Sequence, residues 1–327
     1  MSGWSVAFAH PVTVGIVGTT VGVVALAAAL IGFLSIKGRI SSALQRELWL
    51  RLGSWMVLLP LMIGPVLAGR EWTIAAVTIL GLLCLREYDR ATGLFRERLL
   101  CGTMAVGILL ANFASLDHWY GFFVALWPLT VAFIAVVSIP QDRPSGYVQR
   151  TALAILGYML FGAGLAHLGY LANHPGYRPF LLLIILAVAL NDVAAFTTGK
   201  LIGGPKLLPN TSPNKTISGA LGALTCTTLL VAFVGWFIFD GTEMDSLPLL
   251  LLLGLLVSVA GQCGDLMLSS IKRDIGIKDM GAVLPGHGGI LDRFNSLLLV
   301  APAIFHLLHY TIGIGTGEPA RLITGPP

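Results

Sequence analysis

The sequence predicts an all-α, polytopic transmembrane helical bundle with about ten hydrophobic segments. Of its 327 residues, 56% are apolar and only 11% are charged, and the mean hydropathy is +0.85. The apolar residues fall in runs, most of which could cross about 30 Å of hydrocarbon as helices. Helices satisfy every backbone polar group internally where lipid offers no partner. This composition excludes a soluble domain with a large core.

The hydrophobic segments follow one another along the whole chain. They lie at about residues 12–36, 52–69, 72–85, 99–115, 119–139, 151–171, 180–198, 217–239, 247–263 and 296–315. The third run is short, so we expect it either to be re-entrant or to borrow flanking residues. The seventh run continues past Asn191 and Asp192, so that helix carries polar groups near one end.

The basic residues predict the orientation of these segments. If the N-terminus is outside and all ten segments cross, only Arg70, Arg178 and Arg321 lie outside, and the other 17 of the 20 Lys and Arg residues lie inside. A bias of this size favours cytoplasmic loops at the basic end. It also explains the net charge of +4 without a nucleic-acid partner, since no basic and aromatic tract is present.

Two regions are predicted along the chain. Residues 1–180 form N-terminal transmembrane helices with an unspecific pattern. Residues 181–327 form a C-terminal transmembrane catalytic region with cytoplasmic loops at 199–216 and 264–295. The first hydrophobic run has no Lys or Arg before it, so a cleaved signal peptide is not expected.

The segment 264–295 carries the chemistry that a site for phosphate and metal requires. Carboxylates hold Mg²⁺, cations bind phosphate oxygens, and glycines let backbone N–H groups approach an anion. The segment contains Asp265, Asp279 and Asp292, the cations Lys272, Arg273, Lys278 and Arg293, and the glycines Gly286, Gly288 and Gly289 around His287.

The order and spacing of these residues resemble a known signature. The matching positions are Ser269, Lys272-Arg273, Lys278-Asp279, Gly281, Leu284-Pro285, His287-Gly288-Gly289 and Asp292-Arg293. The chain is identified on these positions as a divergent member of the phosphatidate cytidylyltransferase, or CDP-diacylglycerol synthase, family. The family places a similar second block where this chain has Asp192, a Gly- and Lys-rich loop and Ser212-Pro213-Asn214-Lys215-Thr216.

The chain departs from the family pattern at three usual carboxylates. Ser218, Leu268 and Asn295 stand where the family commonly has an acidic residue. These departures leave open a changed acceptor, an altered use of metal or a loss of activity.

The resemblance implies roles for the residues of both blocks. The implied catalytic residues are Asp265, Asp292, Lys272, Arg273, Lys278, Asp279, His287 and Arg293. The implied substrate-binding residues are Asp192, Ser212, Lys215, Thr216, Gly286, Gly288 and Gly289. Asp265 and Asp292 are the expected ligands of a Mg²⁺ cofactor.

The implied reaction transfers CMP from CTP to phosphatidate or a related lipid phosphate and releases pyrophosphate. The expected partners are CTP, this lipid and the membrane lipids, and a homodimer is compatible with the sequence. The expected location is a membrane, the inner or cytoplasmic membrane if the protein is bacterial, with the site facing the cytoplasm. Two alternatives stay open: a CTP-dependent lipid kinase, and a non-catalytic membrane protein that binds or transports a lipid or nucleotide.

Overall fold

The computed structural model describes residues 6–38, 41–283, 288–315 and 321–325, and these are almost entirely helical. The helices are α1 (Pro11–Ile36), α2 (Ser42–Ala68), α3 (Arg70–Thr92), α4 (Arg98–Leu116), α5 (Tyr120–Val137), α6 (Tyr147–Leu171), α7 (Tyr177–Ile202), α8 (Ile217–Ile238), α9 (Leu247–Asp274), α10 (Ile290–Phe294) and α11 (Leu297–Ile312). Short 3₁₀ turns follow α3 and α5, and α6 contains a π-helical stretch at Tyr158–Gly164.

The structure confirms the predicted all-α membrane bundle. Eight of these helices are long and apolar enough to cross a bilayer. The other two predicted segments are α3, whose charged end lowers its hydropathy, and α11, which has 16 residues. The short third run does borrow residues on both sides, because α3 extends it to 23 residues from Arg70 to Thr92.

Both predicted loops begin later than expected, because the helices before them continue into their polar ends. Residues 199–202 belong to α7, and residues 264–274 belong to α9. A two-stranded antiparallel hairpin, β1 (Lys206–Leu208) and β2 (Ser212–Thr216), follows α7. Thr216 ends β2 and caps α8, since its Oγ1 accepts a hydrogen bond from the Gly219 N–H at 3.1 Å.

The three arginines predicted to lie outside are found together at one end of the bundle. Arg70 donates hydrogen bonds to Asn173 and to the carbonyl of Leu116, and Arg321 lies over the ring of Trp119. Arg178 lies over Tyr177, whose hydroxyl bonds to Val66. The hairpin and the described part of 264–295 lie at the opposite end. The charge segregation predicted from the sequence is therefore present in the fold.

A buried polar cluster joins the three helices that lead to this second end. The Asn191 Oδ1 atom in α7 accepts hydrogen bonds from Thr227 of α8 at 3.1 Å and from Ser258 of α9 at 2.6 Å. Asn191 is 1% exposed. Side-chain hydrogen bonds between membrane helices contribute about 0.6–2 kcal/mol each, so this cluster fixes the register of α7, α8 and α9.

Candidate functional site

Asp265 lies where the hairpin and the start of the last helix meet α9. Its Oδ2 atom forms an ion pair with Lys215 of β2, and its Oδ1 atom accepts a hydrogen bond from the Asn295 amide at 2.6 Å. About a quarter of each charged side chain is exposed. The bond to Asn295 is possible because α9 has a glycine here. A Cβ on Gly264 would lie 2.6 Å from the Asn295 carbonyl oxygen.

Asp192 faces the same group of charges from α7. It interacts electrostatically with Asp265, Lys215 and Arg293. The structure therefore brings together two carboxylates and two cations from four separate elements. We call Asp192, Lys215, Asp265, Arg293 and Asn295 the acidic-pair site. The two carboxylates repel each other, and the two cations supply compensating positive charge.

Asp292 has different surroundings: its contacts with the described residues hold together the segment 264–295, which we call the signature segment. Its Oδ1 atom accepts from the Lys272 ammonium at 2.7 Å, and its Oδ2 atom accepts from the backbone N–H groups of Met280 at 2.8 Å and Gly289 at 3.0 Å. Its side chain is only 5% exposed. These contacts tie α9, the segment around residue 280 and α10 into one unit.

Glu87 of α3 holds the same segment from the N-terminal half of the chain. Its two carboxylate oxygens accept hydrogen bonds from the N–H groups of Ile290 at 2.9 Å and Leu291 at 2.8 Å, which begin α10. A carboxylate at this position satisfies N–H groups that have no partner within the helix. Gly281 and Gly289 pack against it so closely that a Cβ on either would meet a Glu87 oxygen at 2.7 or 2.4 Å.

Gly288 adopts a left-handed backbone conformation between two carboxylates. Its φ is +78°, which favours glycine, and a Cβ there would lie 3.1 Å from Asp292 Oδ2 and 3.3 Å from Asp279 Oδ1. Asp279 is itself exposed. The two predicted residues Gly286 and His287 lie outside the described residues.

The other predicted residues lie around this framework. Arg273 is exposed and donates to the carbonyls of Thr211 at 3.4 Å and Ile277 at 3.3 Å, which links α9 to the hairpin turn. Lys278 is exposed, and Ser212 is half-buried at the start of β2. Thr216 is buried and engaged as a helix cap, so its hydroxyl has a structural partner.

The residues that could hold a metal ion at the hairpin end of the bundle are carboxylates. In the part of the chain that the structure describes, three or more His, Cys, Asp or Glu residues do not gather into a metal cluster. Asp192 and Asp265 are the carboxylates that would hold a divalent cation, because carboxylate oxygens are its usual ligands and the two side chains interact electrostatically. Asp292 already accepts hydrogen bonds from Lys272 and two backbone N–H groups, so fewer of its lone pairs are open to a metal ion.

Sequence reasoning did not identify Glu87 or the role of Asn191. The signal for Glu87 was the run Arg86-Glu87-Tyr88-Asp89-Arg90 at the end of an apolar segment, where a buried carboxylate needs a partner. Asn191 stood beside Asp192 inside an apolar run, and a membrane amide of this kind commonly joins helices.

Comparison with known proteins shows the family to which the chain belongs. Residues 49–311 match the model of the cytidylyltransferase family. The chain is 31% identical to the uncharacterized protein YnbB of Escherichia coli (strain K12), over 81% of this chain and 88% of that protein.

Two relatives carry a functional name. The chain is 43% identical to a phosphatidate cytidylyltransferase of Staphylococcus haemolyticus (strain JCSC1435), over 44% of this chain and 55% of that protein. It is 41% identical to the phosphatidate cytidylyltransferase of Staphylococcus saprophyticus subsp. saprophyticus, over 55% of this chain and 67% of that protein. Because the family match extends over more than half of the chain, from residue 49 to residue 311, the chain belongs to the cytidylyltransferase family and is a nucleotidyltransferase.

Proposed function

We propose that this protein transfers CMP from CTP to the phosphate of a phosphatidate-like lipid and yields CDP-diacylglycerol and pyrophosphate. The observation that carries the proposal is the acidic-pair site, in which Asp192 and Asp265 lie among cations at the end of a membrane bundle. Two anionic substrates must meet in this reaction, and the catalyst must align them and neutralise their charge.

The reaction is a displacement at phosphorus. An oxygen of the lipid phosphate attacks the α-phosphorus of CTP, and the bond from that phosphorus to the bridging oxygen of the β-phosphate breaks. Pyrophosphate leaves with the bonding electrons. The attacking phosphate is already an anion, so the protein does not have to generate a strong nucleophile. Its task is to hold two like-charged groups in line.

The residues of the site divide this task. Arg293, Lys278 and Arg273 are exposed at this end and suit the phosphates of CTP and lipid. Lys215 forms an ion pair with Asp265 and neutralises its charge. When another cation takes its place, the Lys215 ammonium becomes free to bind phosphate. Lys272 and Asp292 hold the segment that carries Arg293.

Mg²⁺ is the cofactor that this donor set fits best, with Asp192 and Asp265 as its protein ligands. When bound, it would neutralise charge on the triphosphate. Asp292 as a further ligand remains a prediction from the sequence. The positive-inside bias supports a cytoplasmic location for the site, where CTP is found.

The proposal is tested by acceptor selectivity in detergent solution. Purified protein with Mg²⁺ and CTP should release pyrophosphate when phosphatidate is added, and not when diacylglycerol or phosphatidylcholine is added. Asp265→Asn should give no release above background. Equal release with all three lipids, or none with phosphatidate, would contradict it.

A further inference from the structure

An open apolar groove runs along the outside of the bundle between α2 and α3. It has a volume of about 400 Å³ and is lined by Leu58, Leu61, Pro65, Ala75, Ile79 and Leu83, among other residues. On α2 the lining positions recur every three or four residues, so this helix presents one apolar stripe to the groove, whereas α3 contributes a broader apolar face. Leu61, Trp72 and Ile79 are between 58% and 65% exposed, so the groove opens sideways towards the bilayer.

The groove follows α3 inwards from the outer end of the bundle. Its lining on α3 extends from Trp72, two residues from Arg70 at that end, to Leu83, which is about 16 Å at 1.5 Å per residue. An acyl chain in the groove would therefore lie along α3 with its terminal methyl group towards Arg70.

One end of the groove is formed by the signature segment itself. Ile290, Phe294 and Leu297 line it there. Ile290 is the residue whose N–H group Glu87 holds, and Phe294 stands between Arg293 and Asn295 of the acidic-pair site. A lipid whose chain occupied the groove would thus have its head group beside cations and the Asp192–Asp265 pair. A boundary lipid elsewhere on the bundle would not have its head group beside these charges.

We propose that the groove between α2 and α3 binds an acyl chain of the lipid phosphate acceptor and so positions its phosphate at α10. This rests on the proposed function, because that function supplies the acceptor. The N-terminal half of the chain, which carries no signature, then acts as part of the substrate site. Ala75 and Ile79 limit the length of the acyl chain that the groove can hold.

Direct labelling tests the occupancy of the groove without any turnover. Wild-type protein in detergent is exposed to phosphatidate that carries a photoreactive diazirine within one acyl chain, and the labelled peptides are mapped. We expect label on residues 58–83 and 290–297, reduced by excess unlabelled phosphatidate more than by phosphatidylcholine. Equal competition by the two lipids would mean a boundary lipid, and label elsewhere or at a contact between two copies would also overturn the proposal.

Acceptor kinetics provide a second test with a matched control. Ala75→Trp fills the groove at an exposed position, whereas Ala29→Trp adds the same bulk at an exposed position on α1 that does not line the groove. We expect Ala75→Trp to lower the ratio of kcat/KM for a dioleoyl over a dihexanoyl phosphatidate by about tenfold or more, since lost apolar contacts discriminate by this order.

The outcomes distinguish a failure of the groove assignment from a failure of the proposed function. Ala29→Trp should leave the ratio unchanged, and turnover of the short acceptor shows that Ala75→Trp is folded. An unchanged ratio in Ala75→Trp, or equal losses on both acceptors, would overturn the groove assignment. If wild-type protein turns over neither acceptor, the proposed function fails, and the labelling result still decides whether the groove binds the lipid.

Discussion

At the scale of single residues, the Asn295 side chain places a neutral amide, and not a second carboxylate, against Asp265. Asn295 donates to Asp265 Oδ1 at 2.6 Å, and its own Oδ1 accepts from the Ser296 N–H at 2.8 Å. An aspartate here would keep the second bond and replace the first with a contact between two carboxylates. The family commonly has that aspartate, so this chain has one fewer negative charge where a cation would bind.

We therefore predict that Asn295→Asp tightens the binding of Mg²⁺. The concentration of Mg²⁺ at half-maximal activity should fall by about tenfold, which corresponds to ~1.4 kcal/mol. Asn210→Asp, in the exposed hairpin turn, adds the same charge without a contact to Asp265 and should leave this concentration unchanged. Superimposable Mg²⁺ titrations of wild type and Asn295→Asp would show that the substitution is silent.

The two predicted metal ligands should respond differently to neutralisation. Asp265→Asn should leave thermal stability near wild type, because Asp265 is partly exposed, and reduce turnover by at least ~100-fold, because loss of metal charge removes several kcal/mol of stabilisation.

Asp292→Asn should instead lower both thermal stability and turnover. It leaves the Lys272 charge unpaired at a buried site, which costs about 3–5 kcal/mol. Thermal unfolding in detergent and single-turnover kinetics of both variants measure the difference. Equal stability of the two variants would contradict the structural role of Asp292.

The sequence identified most of these residues but not their partners. The resemblance to the family implied that Asp192, Lys215 and Asp265 belong to one site, and the structure brings them together. The sequence could not predict that Lys215 pairs with Asp265 or Lys272 with Asp292, because these pairs join positions 50 and 20 residues apart. Such contacts depend on how the helices pack. The predicted role of His287 concerns a residue outside the described part of the chain and stays a prediction.

At the scale of elements, α3 connects the N-terminal half of the chain to the signature segment. The sequence predicted α3 only as a short apolar run. Hydropathy does not show that Glu87 lies at the polar end of this helix or that its carboxylate caps α10. The apolar runs did predict the positions of the helices well. Their ends were harder to predict, because α7 and α9 leave the apolar layer and continue as helices with polar residues.

We predict that Glu87→Ala lowers stability and raises KM for CTP. The loss leaves the N–H groups of Ile290 and Leu291 without an acceptor, and the buried Leu291 N–H alone costs about 1–3 kcal/mol. Displacement of α10 would then move Arg293 away from the nucleotide.

Two further variants distinguish this role from a general loss of carboxylate. Glu87→Gln keeps one acceptor oxygen and should recover part of both losses. Glu243→Gln, in an exposed loop at the opposite end, should change neither. Wild-type KM for CTP in Glu87→Ala would contradict a positioning role for Glu87.

At the scale of the whole molecule, the charge segregation predicts which end of the bundle faces the cytoplasm. A cysteine at Ala282 should be protected from an impermeant thiol reagent in intact cells and labelled in inverted membrane vesicles. A cysteine at Glu243, at the opposite end, should show the reverse pattern. Both positions are exposed, and the native Cys226 and Cys263 must first be replaced because they are exposed as well. Labelling of the Ala282 position from outside would place the site away from its nucleotide.

The central claim, cytidylyl transfer to a lipid phosphate, is tested most directly by following the phosphorus atoms of CTP. Purified protein is incubated with Mg²⁺, phosphatidate and CTP labelled with ³²P at either the α- or the γ-phosphate. We predict that α-label enters the lipid and that γ-label leaves only as pyrophosphate, and that Asp265→Asn abolishes both. Entry of γ-label into lipid with release of CDP would show a kinase, and absence of label from the lipid in both reactions would contradict the assignment as a transferase.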